Sequence, residues 1–415
     1  MSPIPAFGNK SFIQLGAKES AFGVFTAPAG TYKYRLELVS WNLAPQIAVI
    51  HDKSLWGNLS RRALYQGPIY YKGTLTLRAN YEGLKEIFRA AFGTYASSAT
   101  LTPALDDTFK EGLTLNSYSI ELGYGDLPAG KVVHVNGLKI VGITVKGSAS
   151  TGDDGILMID LSVVARDVDN NGGVGYNATG GLGLPNLFPV LFHQAVQVDD
   201  GTTDSQLNLR ITQFEATFEG PHVEDRVYLG SLLMDEPIRD DVVVGKIKFT
   251  QEYNSVSQWQ QARAFTVGSP KLIFQSPTQI STTPITTCNV SGAGATTITR
   301  AAFDFGANGV KVGMYIDTGN GVFPPGTYVT IVAVGTVTVA NNAGGALTSL
   351  VSGNVNFNTN RELEIRMNSA NLVDMSAPID RWGRLMSTAT WEGFYDSVDT
   401  AAMVVRIRGS EVILP

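Results

Sequence analysis

One strand-then-helix unit is spelled twice in this chain, and that repetition restricts the fold more than any other feature. "KGTLTLRANYEGLKEIFRAAFG" (Lys72 to Gly93) lies over "VGKIKFTQEYNSVSQWQQARAF" (Val244 to Phe265) at a constant offset of 172. Gly73 then meets Gly245, Tyr81 meets Tyr253 and Ala90 meets Ala262, while Leu75, Leu77 and Leu84 fall on Ile247, Phe249 and Val256. Neighbouring segments keep the same order. "YRLELVSW" aligns with "LNLRITQF" at an offset of 173, pairing Leu36 with Leu209, Leu38 with Ile211 and Trp41 with Phe214. "GILMIDLSVVARD" parallels "GRLMSTATWEGFYD" near the end of each half. Ordered repetition of this kind predicts a tandem duplication of one supersecondary unit.

The unit is mainly β. In "GTLTLRAN", Leu75 and Leu77 oppose Thr74, Thr76 and Arg78, and "GILMIDLSVVARD" alternates in the same way. A period of two belongs to antiparallel sheets with one packed and one wet face. "NYEGLKEIFRAAFG" departs from it, because Tyr81, Leu84, Phe88 and Ala91 recur at helical spacing. The spacing predicts an amphipathic helix over 81–92, with Asn80 as N-cap and Gly93 just past its end, packed by one stripe onto the outside of a sheet. The expected fold is therefore an α+β unit occurring twice, two antiparallel sheets each with one packed helix.

The offset grows before the last correspondence, so the second half carries an insertion. Its first hairpin arm, "KLIFQ", ends at Gln275, and "RELEIRM" resumes at Arg361. The stretch between is rich in Thr, Gly, Val and Asn, and a hairpin tip accepts an added module without disturbing the sheet. The expected organisation is an N-terminal arm (1–33), a first unit (34–169), a Gly-rich linker (170–190) and a second unit (191–275 and 359–407). An inserted outer β-domain (276–358) and a C-terminal tail (408–415) complete it.

Composition narrows the function. The formal net charge is −6, against a surface that clamps phosphates through clustered Lys and Arg. The single Cys288 allows neither an internal disulfide nor a cysteine zinc site. No basic, apolar leader opens the chain and no run nears the ~18 apolar residues of a membrane span, so a cytoplasmically made protein without a membrane role is expected. Catalytic groupings do not emerge. His51, His134, His193 and His222 stand singly, and no nucleophile elbow, phosphate loop or HExxH is present. Acidic pairs such as Asp106-Asp107 and Asp240-Asp241 read as solvated turns. "DVDNNG" supplies Asp167, Asp169 and Asn171 at calcium-loop spacing, but the twelfth position, which needs a bidentate Glu, is Ala178. The site expectation is therefore no cofactor, no enzyme, and one weak metal candidate.

In order, "FIQLGAKESAFGVFTAP", a first strand, the long "NLAPQIAVIHDKSLWGNLSRRALYQGPIYY", the strand-helix unit and "ILMIDLSVVARD" resemble the tail tube proteins of long-tailed bacteriophages. "ELEIRMNSANLVDMSAPIDRWGRLMSTATWEGF" continues the resemblance in the second half, and the insert is similar to β-modules that decorate phage virion proteins. The resemblance implies six tube-fold units per ring, their sheets merging into one β-barrel, and stacked rings through which genome DNA is ejected. A chain with two units would need three copies per ring. Glu37, Thr74, Thr76, Ser119, Glu121, Asp160 and Ser162 would face the lumen from the first half. Arg210, Thr212, Lys246, Lys248, Thr388 and Glu392 would do so from the second, the two lysines departing from a non-sticky lining unless acids pair with them. The loop from Pro45 to Pro68, with Ile50, Trp56 and Tyr65, would reach the next ring. The implied partners are further copies, baseplate, tape-measure and terminator proteins, and DNA in passage without specific binding, in a non-contractile phage tail. The competing expectation is a β-rich adhesin or carbohydrate-binding protein, which the Thr/Gly/Asn-rich insert would suit.

Overall fold

A computed structural model describes residues 11–24, 34–52, 63–98, 104–124, 132–149, 155–169, 188–199, 211–223, 226–252, 263–265, 267–290, 296–317, 327–341, 350–376 and 386–410. The chain is mainly β. Its first half contains β1 (Ser11–Lys18), β2 (Tyr34–Leu36), β3 (Leu38–His51), β4 (Leu64–Arg78) and α1 (Leu84–Phe92). There follow β5 (Gly93–Ser98), β6 (Leu105–Glu111), β7 (Tyr118–Tyr124), β8 (Val132–Ser148), β9 (Met158–Ala165) and β10 (Asp167–Asp169). The second half opens with β11 (Ala195–Asp199), β12 (Ile211–Glu219), β13 (His222–Val223), β14 (Ile238–Arg239), β15 (Val244–Glu252) and β16 (Val267–Gly268). Next come β17 (Lys271–Val290), β18 (Thr297–Asp304), β19 (Tyr315–Asp317) and β20 (Thr327–Asn341). The chain closes with β21 (Leu350–Arg366), β22 (Ala370–Ser376), β23 (Met386–Gly393) and β24 (Val404–Gly409).

Two sheet layers enclose the main core. The inner layer runs β3-β4-β9-β8-β12-β15-β23-β22, antiparallel throughout. Its first four strands and its last four repeat one order, and β8 against β12 is the seam between them. An outer layer runs β11-β17-β21-β24-β6-β5, with β18 to β20 built onto the far ends of β17 and β21. Leu75, Leu77, Ile159, Leu161, Ile247, Phe249 and Trp391 all point into the core, as period-two alternation requires.

The repeated glycine of each unit is a close-approach position. A Cβ on Gly73 would lie 1.7 Å from the Asn42 carbonyl oxygen, and one on Gly245 would lie 3.0 Å from the Met403 Cβ. Ladder registers also revise the alignment of the outermost strands. Leu75 faces Trp41 and Ile247 faces Ala216, so Trp41 corresponds to Ala216 rather than to Phe214. By the same reasoning, Leu161 corresponds to Trp391. Both shifts are by two residues, which preserves every inward and outward position and leaves the hydrophobic pattern silent about them.

The helix differs from its sequence reading in two ways. It begins at Leu84, and Gly83, at φ 88°, is its N-cap rather than an interior residue. Asn80 precedes it in a bridge to Pro189, and Tyr81, at the start of the bend, donates its N–H to the Phe188 carbonyl. It is also covered on both sides. Ile87 and Phe88 enter the core, while Lys85 is fully buried, 2.5 Å from Asp107 of β6. The β5–β6 hairpin folds over the polar side, which is why one amphipathic stripe against one sheet does not describe it. Phe92 stacks on Phe218 of β12 at 3.9 Å, so the helix of the first half also braces the second. The matching second helix falls mostly on 253–262, outside the described residues; of the described residues at its end, Arg263 and Ala264 are helical. Phe88→Ala is expected to cost about 3–5 kcal/mol, because its ring is buried beside Phe92 and Phe109. An unchanged melting temperature would remove α1 from the core.

Boundaries follow buried contacts more than composition. Glu19 ties the N-terminal segment down. Its buried carboxylate accepts from Gly23 N (2.8 Å), Ser119 Oγ (2.7 Å) and Gly137 N (2.8 Å). Val190, at the end of the Gly-rich segment, is fully buried, and β24 continues through Arg408 to Gly409. The inserted stretch has its own core around Ile285, Ile298, Phe305, Val329, Val337 and Phe357, joined by Ala104 of the first half. The β17–β21 ladder runs into it without a break in the chain, slipping register between Gln275 and Ser281. Tyr315 Oη donates to the buried Glu362 carboxylate at 2.6 Å, so the module is bonded to the sheet beneath it.

Candidate assembly surfaces

The wet face of the inner sheet is a field of threonines and paired charges. Thr74, Thr76, Asp160, Ser162, Thr388 and Glu392 all lie on it, at least partly exposed. Thr76 Oγ1 donates to Asp160 Oδ1 at 2.8 Å, and Lys146 bonds the other oxygen of Asp160. Thr144 and Thr217 meet across the seam at 3.2 Å. Lys246 and Lys248 share this face. Lys246 stands 3.4 Å from Glu392, and Lys248 lies opposite Glu215 in the ladder. Each exposed lysine on β8 and β15 is thus answered by a carboxylate on the next strand, which lowers the net positive field of this face.

Three expected members sit elsewhere. Ser119 and Glu121 are buried in β7, which pairs with the first part of β8, Ser119 on Glu19 and Glu121 beside His134 (3.6 Å). β7 alternates like an inner strand, but the segment carrying Glu19 covers its polar side. Thr212 occupies the slipped position between Ile211 and Gln213 and bonds the Thr250 carbonyl. Gln213, Glu215, Thr217 and Glu219 carry the face on β12 instead; counting alternation from Glu219 rather than from Arg210 would have found them. Glu37 lies partly exposed in the break between β2 and β3, and Arg210 lies outside the described residues.

The inner sheet ends in two edges. On β3 the partly buried Trp41 and Leu43 pack on the core; on β22 the buried Leu372 and partly buried Met375 do the same. Among the described residues β16 pairs with β22 at Ala370 and Asn371. Neither edge stood out from composition, because each is legible only once the strand order is known.

The segment from Pro45 to Pro68 is not a loop over its described length but a ribbon extending β3 and β4. Ile50 faces Tyr65 across it, both more than half exposed, and Trp56 lies outside the described residues. At its base Ile69 N donates to the Leu232 carbonyl (2.8 Å), which braces the ribbon against the chain's own second half.

Of the calcium candidates, Asp167 and Asp169 belong to strand β10, paired to Asn136 and His134. Asp167 Oδ1 accepts from Val168 N, and Asn171 lies outside the described residues. A strand is not the turning loop a calcium site of that spacing needs. No group of three or more His, Cys, Asp or Glu side chains able to hold a metal occurs among the described residues. Nor is any helix among them long and apolar enough to cross a membrane.

A family model described as phage tail tube protein matches residues 8–231, from before β1 to beyond β13. No curated protein matches the chain.

Proposed function

Because the chain belongs to the phage tail tube protein family, whose members are structural components of the virion, we propose that three copies close into a ring. Rings then stack into the hollow conduit for genome DNA, in contact with the terminator, baseplate and tape-measure proteins of the tail. The observation that carries this reading is the strand order. Eight strands run through both halves as one sheet, the two halves present the same order, and the internal seam joins the last strand of one to the first of the other. Among the described residues the edge strands are β3 and, beyond its short pairing with β16, β22; they are the counterparts of β12 and β8. One chain's β22 therefore meets its neighbour's β3 as β8 meets β12, a heterologous contact that closes by rotation. Closure also removes edges that otherwise invite aggregation. Three chains supply six units, with the paired-charge face turned to the lumen.

Symmetry analysis of purified assemblies by electron microscopy is the test. The expected image is a ring with a three-fold axis and six similar inner lobes. Rings of six full-length chains, or no rings, would refute the reading.

A further inference from the structure

We propose that Lys85 of α1 and Asp107 of β6 become joined by an isopeptide bond, the lysine Nζ condensing with the aspartate carboxyl group and one water leaving. The bond does not depend on the ring reading and is tested apart from it.

In the β6–β24 ladder Asp107 stands opposite Ile407 and shares its side of the strand with Phe109, and both of these are fully buried. The sheet therefore aims a carboxyl group into an apolar core, and Lys85 meets it there from the helix. Nζ lies 2.5 Å from Asp107 Oδ2, and the two side chains are 0% and 1% exposed. Packed apolar residues replace a buried ion pair at little or no cost, so stability alone does not call for this one. Nor is the contact fixed as a hydrogen bond. Among the described residues neither Asp107 oxygen accepts one in proper alignment, although Nζ stands so close. A C–O bond of about 1.2 Å puts Nζ no more than ~3.7 Å from Cγ, near the ~3–3.5 Å of groups poised to react.

A third group completes the set. Glu82, in the bend before α1, has its Oε1 held by Arg361 Nε (2.6 Å) and Ser410 Oγ (3.0 Å). Its Oε2 and the Lys85 Cε each lie 3.3 Å from where a Cβ on Gly409 would stand, so the two groups meet over that glycine. The Leu105 carbonyl, 3.4 Å from Nζ, is placed to accept from the N–H of the product amide.

The reaction needs no further reagent. In the dry interior the ammonium passes one proton to the Asp107 carboxylate, which replaces two buried charges by an amine and a carboxylic acid. The Nζ lone pair then bonds to Cγ, and the carbonyl π pair moves onto its oxygen. Glu82 Oε2 takes a proton from the nitrogen and hands it to the Asp107 hydroxyl. The C–O bond breaks, water departs, and Glu82 ends as it began. Nothing is oxidised or reduced. The product fastens α1 to β6, which is paired with β24 of the second half. In a chain whose single cysteine allows no internal disulfide, this supplies a covalent tie.

Intact mass of the full chain under denaturing conditions is the test. The chain is expected to be lighter by one water than its sequence, with or without the first methionine. Fragmentation of a protease digest is expected to join the segments carrying Lys85 and Asp107. Full sequence mass in the wild type overturns the proposal whatever the rings do, and so does a link found at other residues. Lys85→Arg keeps the ion pair but cannot condense. It is expected at full mass, folded by circular dichroism, and with a lower melting temperature than wild type. Folded Glu82→Gln is also expected at full mass, and a linked Glu82→Gln chain would overturn the proton relay.

Discussion

Arg406→Ala is expected to destabilise the folded chain by about 3–5 kcal/mol at pH 7, the range for removing one partner of a buried ion pair. Glu362 and Glu364 on β21 are 1% and 2% exposed. Arg406 on β24 reaches both, with Nε 2.7 Å from Glu364 Oε2. Arg366 also contacts Glu364 (3.1 Å), and Arg408 bridges Glu362 (3.6 Å) to Asp106 of β6 (2.8 Å). The cluster therefore bonds the second half to the hairpin of the first. Burial by itself would raise the Glu364 carboxyl, but Arg406, Lys271 and Arg366 hold it down at about 2, from an ordinary value of 4.5. A depressed carboxylate contributes stability that is complete above its unfolded value and is lost as pH falls through its folded one. The window here runs from about pH 4.5 down to about 2. The gap between wild type and Arg406→Ala should therefore narrow on acidification through that window. Denaturant titrations at pH 7 and pH 3 check it, and a gap of equal size at both would mean that the lost pairing is not the cause.

The second large effect is on assembly. Trp41→Arg is expected to leave a folded chain that forms neither rings nor tubes, and Met375→Arg should do the same. Across the internal seam Ala216 faces Val145 and Phe218 faces Ile143. Carried to the free edges through the ladders with β4 and β23, Ala216 becomes Trp41 and Val145 becomes Met375; Phe218 becomes Leu43 and Ile143 becomes Leu372. In the proposed ring the closing seam would set tryptophan against methionine and leucine against leucine. A guanidinium at either position would be buried without a partner on closure, which is among the costliest changes an interface can undergo. Size-exclusion chromatography with circular dichroism separates the outcomes. A folded monomer is expected, and wild-type tubes from Trp41→Arg would place the ring contact on another edge. Trp41→Lys together with Met375→Glu in one chain should recover part of the assembly if these two residues face each other.

Much of this was legible in the chain itself. Leu75, Leu77, Ile159 and Leu161 against Thr74, Thr76, Asp160 and Ser162 are assigned to opposite faces by alternation alone, and the structure keeps them there. The recurrence of one strand order in β3-β4-β9-β8 and β12-β15-β23-β22 has its trace in segments compared along the chain. So does the helix, read over 81–92 and found over Leu84–Phe92, since its period is local. These features depend on neighbours a few residues away, and the backbone imposes their geometry wherever they occur.

What only the tertiary structure decided are facts about who covers whom. Trp41 and Phe214 align as well as Trp41 and Ala216 until β4 and β15 fix the register, because a shift of two changes no face. Ser119 and Glu121 alternate like wet residues, yet the Glu19 carboxylate caps one and His134 accompanies the other in the interior. Lys85 looks like the solvent side of a helix until Asp107 arrives from a hairpin that the second repeat lacks. Sequence fixes a side chain's direction relative to its own backbone; burial depends on whether another layer arrives on that side, and that is settled by contacts between residues far apart in the chain.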